Sequence, residues 1–412
     1  LCTDKRKSKP IRPKIVASTA TVARFQTQIL SLFGRERSLV FPPPVLDSKD
    51  SFFSRIETID GAQAPGRMYL GIFAPGYSSY QTIQVRVGTS LIQAPMRLPD
   101  VDRDPYWTGL WFFNSIRELG NTQTLIQSDM HEYSYSLHLR DQRKKRRFVN
   151  SNSVLELTSR MKSDEVPAAI DQLEKSLGGN NKNVLDICLA SNIIEVGIDI
   201  DRLGLLVIAG QPKSTSQYIQ VSGRVGRDWK KAPGLVVTIY SPLKPRDRSH
   251  FERFRSYHQK LYHYVEATSV TPYSDPVLER ALHAILVTHV KMNGNSSSGP
   301  LPYPASEIEE AKKTILEAVK VNGFEQLEVV EDWLDRRVDE WNAWEKTKWT
   351  DRDGDTRQAS MRSADVQLEA NESPLFWKTP NSLRNVDAEC PLEIFNFAHL
   401  RNPNVDIGAD NA

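Results

Sequence analysis

The sequence predicts an α/β fold: a doubly wound parallel sheet over residues 106–240, with a connector before it and helices after it. Two observations carry this. Short apolar runs of strand length recur at 106–115, 154–157, 184–189, 205–209 and 234–240, and helix-compatible stretches separate them. Buried parallel strands read as near-continuous apolar runs, and their alternation with helices builds a sheet covered on both faces. Ligands of such sheets sit outside the carboxyl ends of the strands, which directs attention to the polar residues after each run.

Taken in order, residues 14–18 are a short strand candidate, followed by the string Ser18-Thr19-Ala20-Thr21. Thr21 suits a helix N-cap, because its hydroxyl can accept from an orphan amide. Val22, Phe25, Ile29 and Phe33 then recur at helical spacing, and Gly34 suits the stop. Residues 35–105 read as a connector with its own structure: Phe41 precedes three prolines that stiffen the chain, and 67–75 and 81–87 look like short strands. The strand at 106–115 is aromatic-rich and ends in Asn114-Ser115, with a helix from Ile116.

The densest charge run is Arg143, Lys144, Lys145, Arg146 and Arg147. It reads equally as a contact for a phosphate backbone and as a solvated loop tip. The strand at 154–157 leads into Thr158, Ser159 and Arg160, and Asp164-Glu165 open a helix with Val166, Ile170, Leu173 and Leu177 on one face.

Two strings carry the chemistry. Residues 183–200 read NVLDICLASNIIEVGIDI: a buried strand, then Ala190, Ser191, Asn192, Glu195, Gly197 and Asp199. Residues 220–227 read QVSGRVGR, with Gly223 and Gly226 allowing close backbone packing around Arg224 and Arg227. A guanidinium keeps its proton at neutral pH and matches phosphate oxygens two at a time. No Gly-x-x-x-x-Gly-Lys-Ser/Thr string, the cradle for nucleotide phosphates, occurs; Gly178-Gly179-Asn180-Asn181-Lys182 lacks the second glycine and the hydroxyl residue.

Residues 220–227 resemble motif VI of superfamily 2 helicases, residues 190–199 motif V, residues 18–21 motif III and Asn114-Ser115 motif IV. The resemblance implies a RecA-like second motor domain at 106–245, the end of a first one at 1–34 and a connector at 35–105. It also implies that Arg224 and Arg227 are arginine fingers on ATP, that Gly197, Asp199, Gln220 and Gly223 face the nucleotide, and that Ser18 and Thr19 couple nucleotide state to movement. Ser191, where most relatives carry Thr, would touch nucleic acid together with Thr158, Ser159 and Arg160. The cofactors implied are ATP and Mg2+, with the magnesium ligands and the P-loop in an N-terminal helicase half. The chain begins with Leu1, so the expectation is the C-terminal portion of a larger motor, or a subunit that pairs with the other portion. Together with 41–47 and 382–386, these motifs resemble the DISARM anti-phage helicases. That implies movement on DNA, with RNA not excluded, a bacterial cytoplasmic home and a DISARM partner protein. Two other readings stay open: a nucleic-acid-binding module, and an inactive truncated helicase.

The bulk numbers bound these readings. A net charge of +2 over 412 residues does not by itself announce nucleic acid, although a local patch can hide in it. Cys2, Cys188 and Cys390 are far apart, which argues against a disulfide framework, and no metal site is expected in the chain. No apolar run approaches membrane-spanning length, so no membrane partner is expected.

After residue 245 the character changes. Residues 251–264 interleave aromatics with cations in one expected helix, as in a single-strand channel or an amphipathic core helix. Residues 275–292 and 306–349 read as helix, broken at Gly323, with Trp333, Trp341 and Trp344 as a packing face or partner surface. Residues 246–345 are thus a helical extension, 293–300 a flexible linker, and 346–412 a partly disordered region.

Overall fold

A computed structural model describes residues 13–379 apart from 20, 44, 48–49, 56–57, 60–61, 64–65, 78, 141–145, 159–160, 162–164, 179–183, 192–198, 229, 268–269, 294–298, 351–355 and 364–374. The chain divides into two compact units, one comprising 16–25 and 39–268, the other 1–15, 26–38 and 269–412.

The helix α1 (Phe25–Phe33) ends at Gly34, whose N–H donates to Leu30 O at 2.8 Å and whose φ of 59° is the left-handed stop the sequence implied. Its start differs. Thr19, not Thr21, makes the local hydroxyl bonds, to the N–H and C=O of Thr21, and Arg24 takes a φ of 51° before the helix begins.

In the larger unit a two-stranded pair, β1 (Thr58–Ile59) and β2 (Ala62–Gln63), precedes a six-stranded sheet. Its strands are β3 (Arg67–Phe73), β4 (Gly109–Phe113), β5 (Val154–Leu157), β6 (Ile187–Ala190), β7 (Leu205–Ala209) and β8 (Gly234–Tyr240). They lie in the order β3-β8-β7-β4-β6-β5, and every pairing is parallel. Alternate residues of each central strand feed two cores. Leu110, Phe112, Leu206 and Ile208 face one side, with Leu173 of α6 (Val166–Glu174) and Tyr218 and Val221 of α7 (Thr215–Ser222). Trp111, Phe113, Val207 and Ala209 face the other, with Ile83 of α2 (Tyr80–Gln93) and Leu119 of α4 (Ile116–Leu125). The fold is therefore doubly wound.

The sheet corrects the boundary drawn from sequence. β3 lies inside the expected connector, yet it pairs along its whole length with β8. It reads as an isolated strand because its neighbour, β8, is the last strand of this sheet in sequence. Residues 81–87 are helix, not strand: Ile83, Gln84, Val85, Gly88 and Thr89 are buried along one side of α2. Further elements of this unit are α3 (Asp100–Trp107), α5 (His131–Arg140), α8 (Pro245–Glu252) and α9 (Phe254–Gln259). The single helix expected over 251–264 is broken at Arg253 and ends in a 3-10 turn. Part of its aromatic set packs inward: Phe251 stacks on Phe73 at 4.8 Å and Phe254 meets Tyr240 edge-on, whereas Tyr262 and Tyr264 are exposed.

The second unit holds α10 (Asp275–Asn293), α11 (Ala305–Asn322) and α12 (Leu327–Trp344), with Gly323 between the last two as expected. The region beyond 345, expected to be partly disordered, contains a three-stranded parallel sheet of β9 (Lys348–Thr350), β10 (Ala359–Ser363) and β11 (Trp377–Thr379). Trp341, Trp349 and Trp377 supply a buried aromatic cluster that holds this sheet to the helices. Its strands are three to five residues long and flanked by charged residues, so no apolar run marks them.

Candidate functional site

The arginine turn is built by α7 and the strands below it. Ser214 caps α7 by accepting from Gln217 N–H, and both oxygens of Glu266 accept from Thr215 N–H at 2.9 Å. The helix stops at Gly223, and the chain turns sharply through Gly226. Gly226 has a φ of 62°, and a Cβ there would lie 2.3 Å from Gly234 N, so only glycine fits. Its N–H donates to Leu203 O at 2.9 Å, and Val225 is fully buried.

This fixes Arg224 and Arg227 against one carboxylate. Arg224 Nη1 donates to Asp199 Oδ1 at 2.6 Å, and Arg227 Nη1 pairs with the same oxygen. Arg227 Nε also lies 3.9 Å from Asp201 Oδ1. The cluster is open on one side: the Asp199 side chain is 50% exposed and that of Arg227 35%, while that of Arg224 is 15% exposed. Exposed pairs of this kind contribute little stability, and an anion can displace one partner at small cost. The donors suit phosphate oxygens. Among the described residues no group of three or more carboxylates, histidines and cysteines is placed to hold a metal ion. Gln220 is half-buried on the same helix, and Gly223 is its cap, where a Cβ would crowd Ile219 O at 3.2 Å. Gly197 lies outside the described residues.

The turn corrects one expectation. The rule for such sheets places motifs IV, V and VI at the carboxyl edge. The arginine turn instead packs on Gly66 and Leu203, which lie just before β3 and β7, and on Gly234, which opens β8. The reason is the helix before it. α7 leaves the carboxyl end of β7 and runs back along the sheet, so its last turn arrives at the amino edge.

The carboxyl edge carries the other candidates. Ser191 follows β6 and is buried, with its N–H towards Leu157 O at 3.4 Å. Thr158 follows β5, is 1% exposed, and its hydroxyl donates to Glu156 Oε1 at 2.8 Å. Both residues are buried in this structure. Ser159 and Arg160 lie outside the described residues. Asn114 Nδ2 donates to Ala209 O at 3.3 Å, and buried Asp247 accepts from Gln211 and Ser241 N–H at 3.0 and 2.7 Å, tying β4, β7 and β8 together at this edge. Burial raises the Asp247 carboxyl above its usual range, and the Ser241 and Gln211 amides oppose that. Ser18 and Thr19 are exposed.

The basic run is corrected at one end. Arg147 is 6% exposed rather than solvated. Its Nε and Nη2 both reach Asp186 Oδ1, Nη1 donates to Trp107 O at 2.9 Å, and the guanidinium lies 3.6 Å from the Trp107 ring centroid. Gln93 brackets its backbone N–H and C=O. Burial lowers its pKa and Asp186 opposes that shift. The signal was Asp186 itself: a carboxylate inside an apolar run needs a buried partner. Arg146 is half-buried, and Arg143, Lys144 and Lys145 lie outside the described residues.

Residues 111–228 match the helicase conserved C-terminal domain family. The DISARM protein DrmA of Bacillus paralicheniformis is 38% identical over 348 residues, which cover 81% of this chain and 30% of that protein. The chain therefore spans about a third of the length of that relative. The DEAD-box ATP-dependent RNA helicase CshC of Bacillus cereus is 31% identical over 105 residues, 24% of this chain and 26% of that one. Among solved structures, the DUF1998 helicase MrfA bound to DNA and AMPPNP aligns with a TM-score of 0.36 and 14% identity, covering 55% of this chain and 27% of that one. Helicase Lhr of Mycobacterium smegmatis, bound to ssDNA and AMP-PNP, aligns at 0.36 and 16% identity, covering 55% and 26%.

Proposed function

Because this chain is a superfamily 2 helicase portion, with the conserved C-terminal domain at residues 111–228 and a resemblance to DISARM protein DrmA, we propose that it supplies the second RecA-like half of an ATP-dependent DNA motor in anti-phage defence. The observation that carries this is the shared, half-open ion pair of Arg224 and Arg227 with Asp199. Two guanidiniums held at one turn and only half neutralised by an exposed carboxylate are poised to exchange that carboxylate for phosphate oxygens. During phosphoryl transfer they stabilise charge spreading over the γ-phosphate. The sequence contains no P-loop string, so the triphosphate and Mg2+ are held by a partner half that carries one. DNA is the substrate that the DISARM resemblance implies, with contacts at the carboxyl edge through Ser191 and the turn after β5, and Ser18 and Thr19 couple nucleotide state to movement.

The test is a reconstitution. Purified 1–412 should hydrolyse ATP only at background rate, with or without DNA. Adding a P-loop-bearing first half, fused or in trans, should restore DNA-stimulated hydrolysis. Robust turnover by the chain alone would overturn the reading, and a folded pair that binds DNA without turnover would leave a binding module.

A further inference from the structure

We propose that Arg67 is a positioning residue for the two arginines of the catalytic turn. The proposal rests on the reading of Arg224 and Arg227 as fingers and names what aims them. Arg67 opens the edge strand β3, upstream of the segment that matches the helicase family. Its Nε donates to Val225 O at 2.8 Å and its Nη2 to Gly223 O at 3.2 Å. Those two carbonyls flank Arg224 in the chain. A planar fork that grips both fixes the peptide planes on either side of the finger's Cα.

Neighbouring contacts seat the same strand against the same turn. Gly234 N–H donates to Gly66 O at 2.9 Å, and Arg67 stands in register with Gly234 at the head of the β3–β8 ladder. Two residues on, Tyr69 OH donates to Ser222 Oγ at 3.4 Å. The turn needs such a grip. Gly226 has no side chain with which to anchor it, and Arg224 and Arg227 share the exposed carboxylate of Asp199, which nucleotide would displace. Once Asp199 is released, the peptide planes held by Arg67 still define where both guanidiniums emerge. A displacement of about 1 Å at a reacting group can cost about 100-fold in rate, so the grip acts on turnover more than on affinity.

The experiment uses the full two-half motor and measures DNA-stimulated ATP hydrolysis. Arg67→Ala should lower kcat by about 10- to 100-fold while KM for ATP changes by less than about 3-fold. Arg67→Lys keeps the charge and one donor but not the fork, so it should recover part of the loss. Arg67→Ala added to Arg227→Ala should cost much less than it does alone, because the finger it aims is gone. Normal kcat in Arg67→Ala, beside defective Arg224→Ala and Arg227→Ala, would overturn the positioning role and leave the finger reading standing. Normal kcat in all of them would remove the finger reading itself. A loss that tracks the thermal midpoint and recovers on cooling would assign Arg67 to stability alone and overturn the proposal. Should Arg67→Ala not fold, wild-type kcat in folded Arg67→Lys would overturn it equally.

Discussion

Two aspartate–arginine clusters lie at the amino edge of one sheet, and they differ in what surrounds them. Asp186 precedes β6 and meets Arg147 in a closed cluster, bounded by the Trp107 ring, Gln93 and Ser153, with the guanidinium almost wholly buried. Asp199 lies ahead of β7 and meets Arg224 and Arg227 in a cluster open on one side, with Asp199 half exposed, Arg227 partly exposed, Arg224 mostly buried, and two cations on one oxygen. The same pair of residue types therefore does two jobs. A closed pair with every direction occupied locks structure, and removing one member strands a buried charge. An open pair adds little to stability and leaves its cations available to a ligand.

The largest test of that contrast is catalytic. In the two-half motor, Arg224→Ala or Arg227→Ala should reduce ATP turnover by about 10³- to 10⁵-fold, with the unfolding midpoint almost unmoved in the variant of the more exposed Arg227. Steady-state kinetics beside a urea titration separate the two readouts, and a large stability loss would erase the distinction between the clusters.

The closed cluster should behave in the opposite way. Arg147→Met should destabilise the larger unit by about 3–5 kcal/mol, because Asp186 would keep a buried charge without its partner. Replacing Asp186 by Asn at the same time should recover part of that loss. Below the lowered midpoint, turnover in the reconstituted motor should remain near wild type. A stability change below about 1 kcal/mol would mean that Arg147 is not locked.

Acid extends the comparison to a closed group in the other unit. His283 is fully buried against Trp377, and burial, with the nearby Arg337 cation, pushes its pKa down to about 4. A histidine held neutral by folding contributes stability above its unfolded pKa of about 6.5, and that contribution is lost as pH falls towards 4. The expected loss is up to about 3 kcal/mol across that window. The difference in pH–stability profiles between wild type and His283→Leu isolates it, and superimposable slopes would dismiss it.

The smallest effect concerns the remaining basic run. Changing Arg143, Lys144 and Lys145 to serine should flatten the slope of log affinity for single strands against log salt by at most about 0.7 per lost contact. Arg147 is left out of that set because its charge is buried. An unchanged slope would assign those residues to a solvated loop.

Much of this was legible in the chain. The apolar runs of β4 to β8 announced buried parallel strands, because a strand covered on both faces has no polar side to alternate. Gly223, Arg224, Gly226 and Arg227 announced a tight cationic turn, since glycine where no Cβ fits is a local constraint that sequence records directly. Tertiary structure alone decided which edge of the sheet receives that turn, because the direction of α7 across the sheet is not written in any short string. It also decided that β3, distant in sequence, pairs with β8 and brings Arg67 to the carbonyls of 223 and 225. And it decided that Arg147, read from its neighbours as one more surface cation, belongs to Asp186. Pairings between residues far apart in sequence depend on the packing of the whole sheet, and local composition carries no record of them.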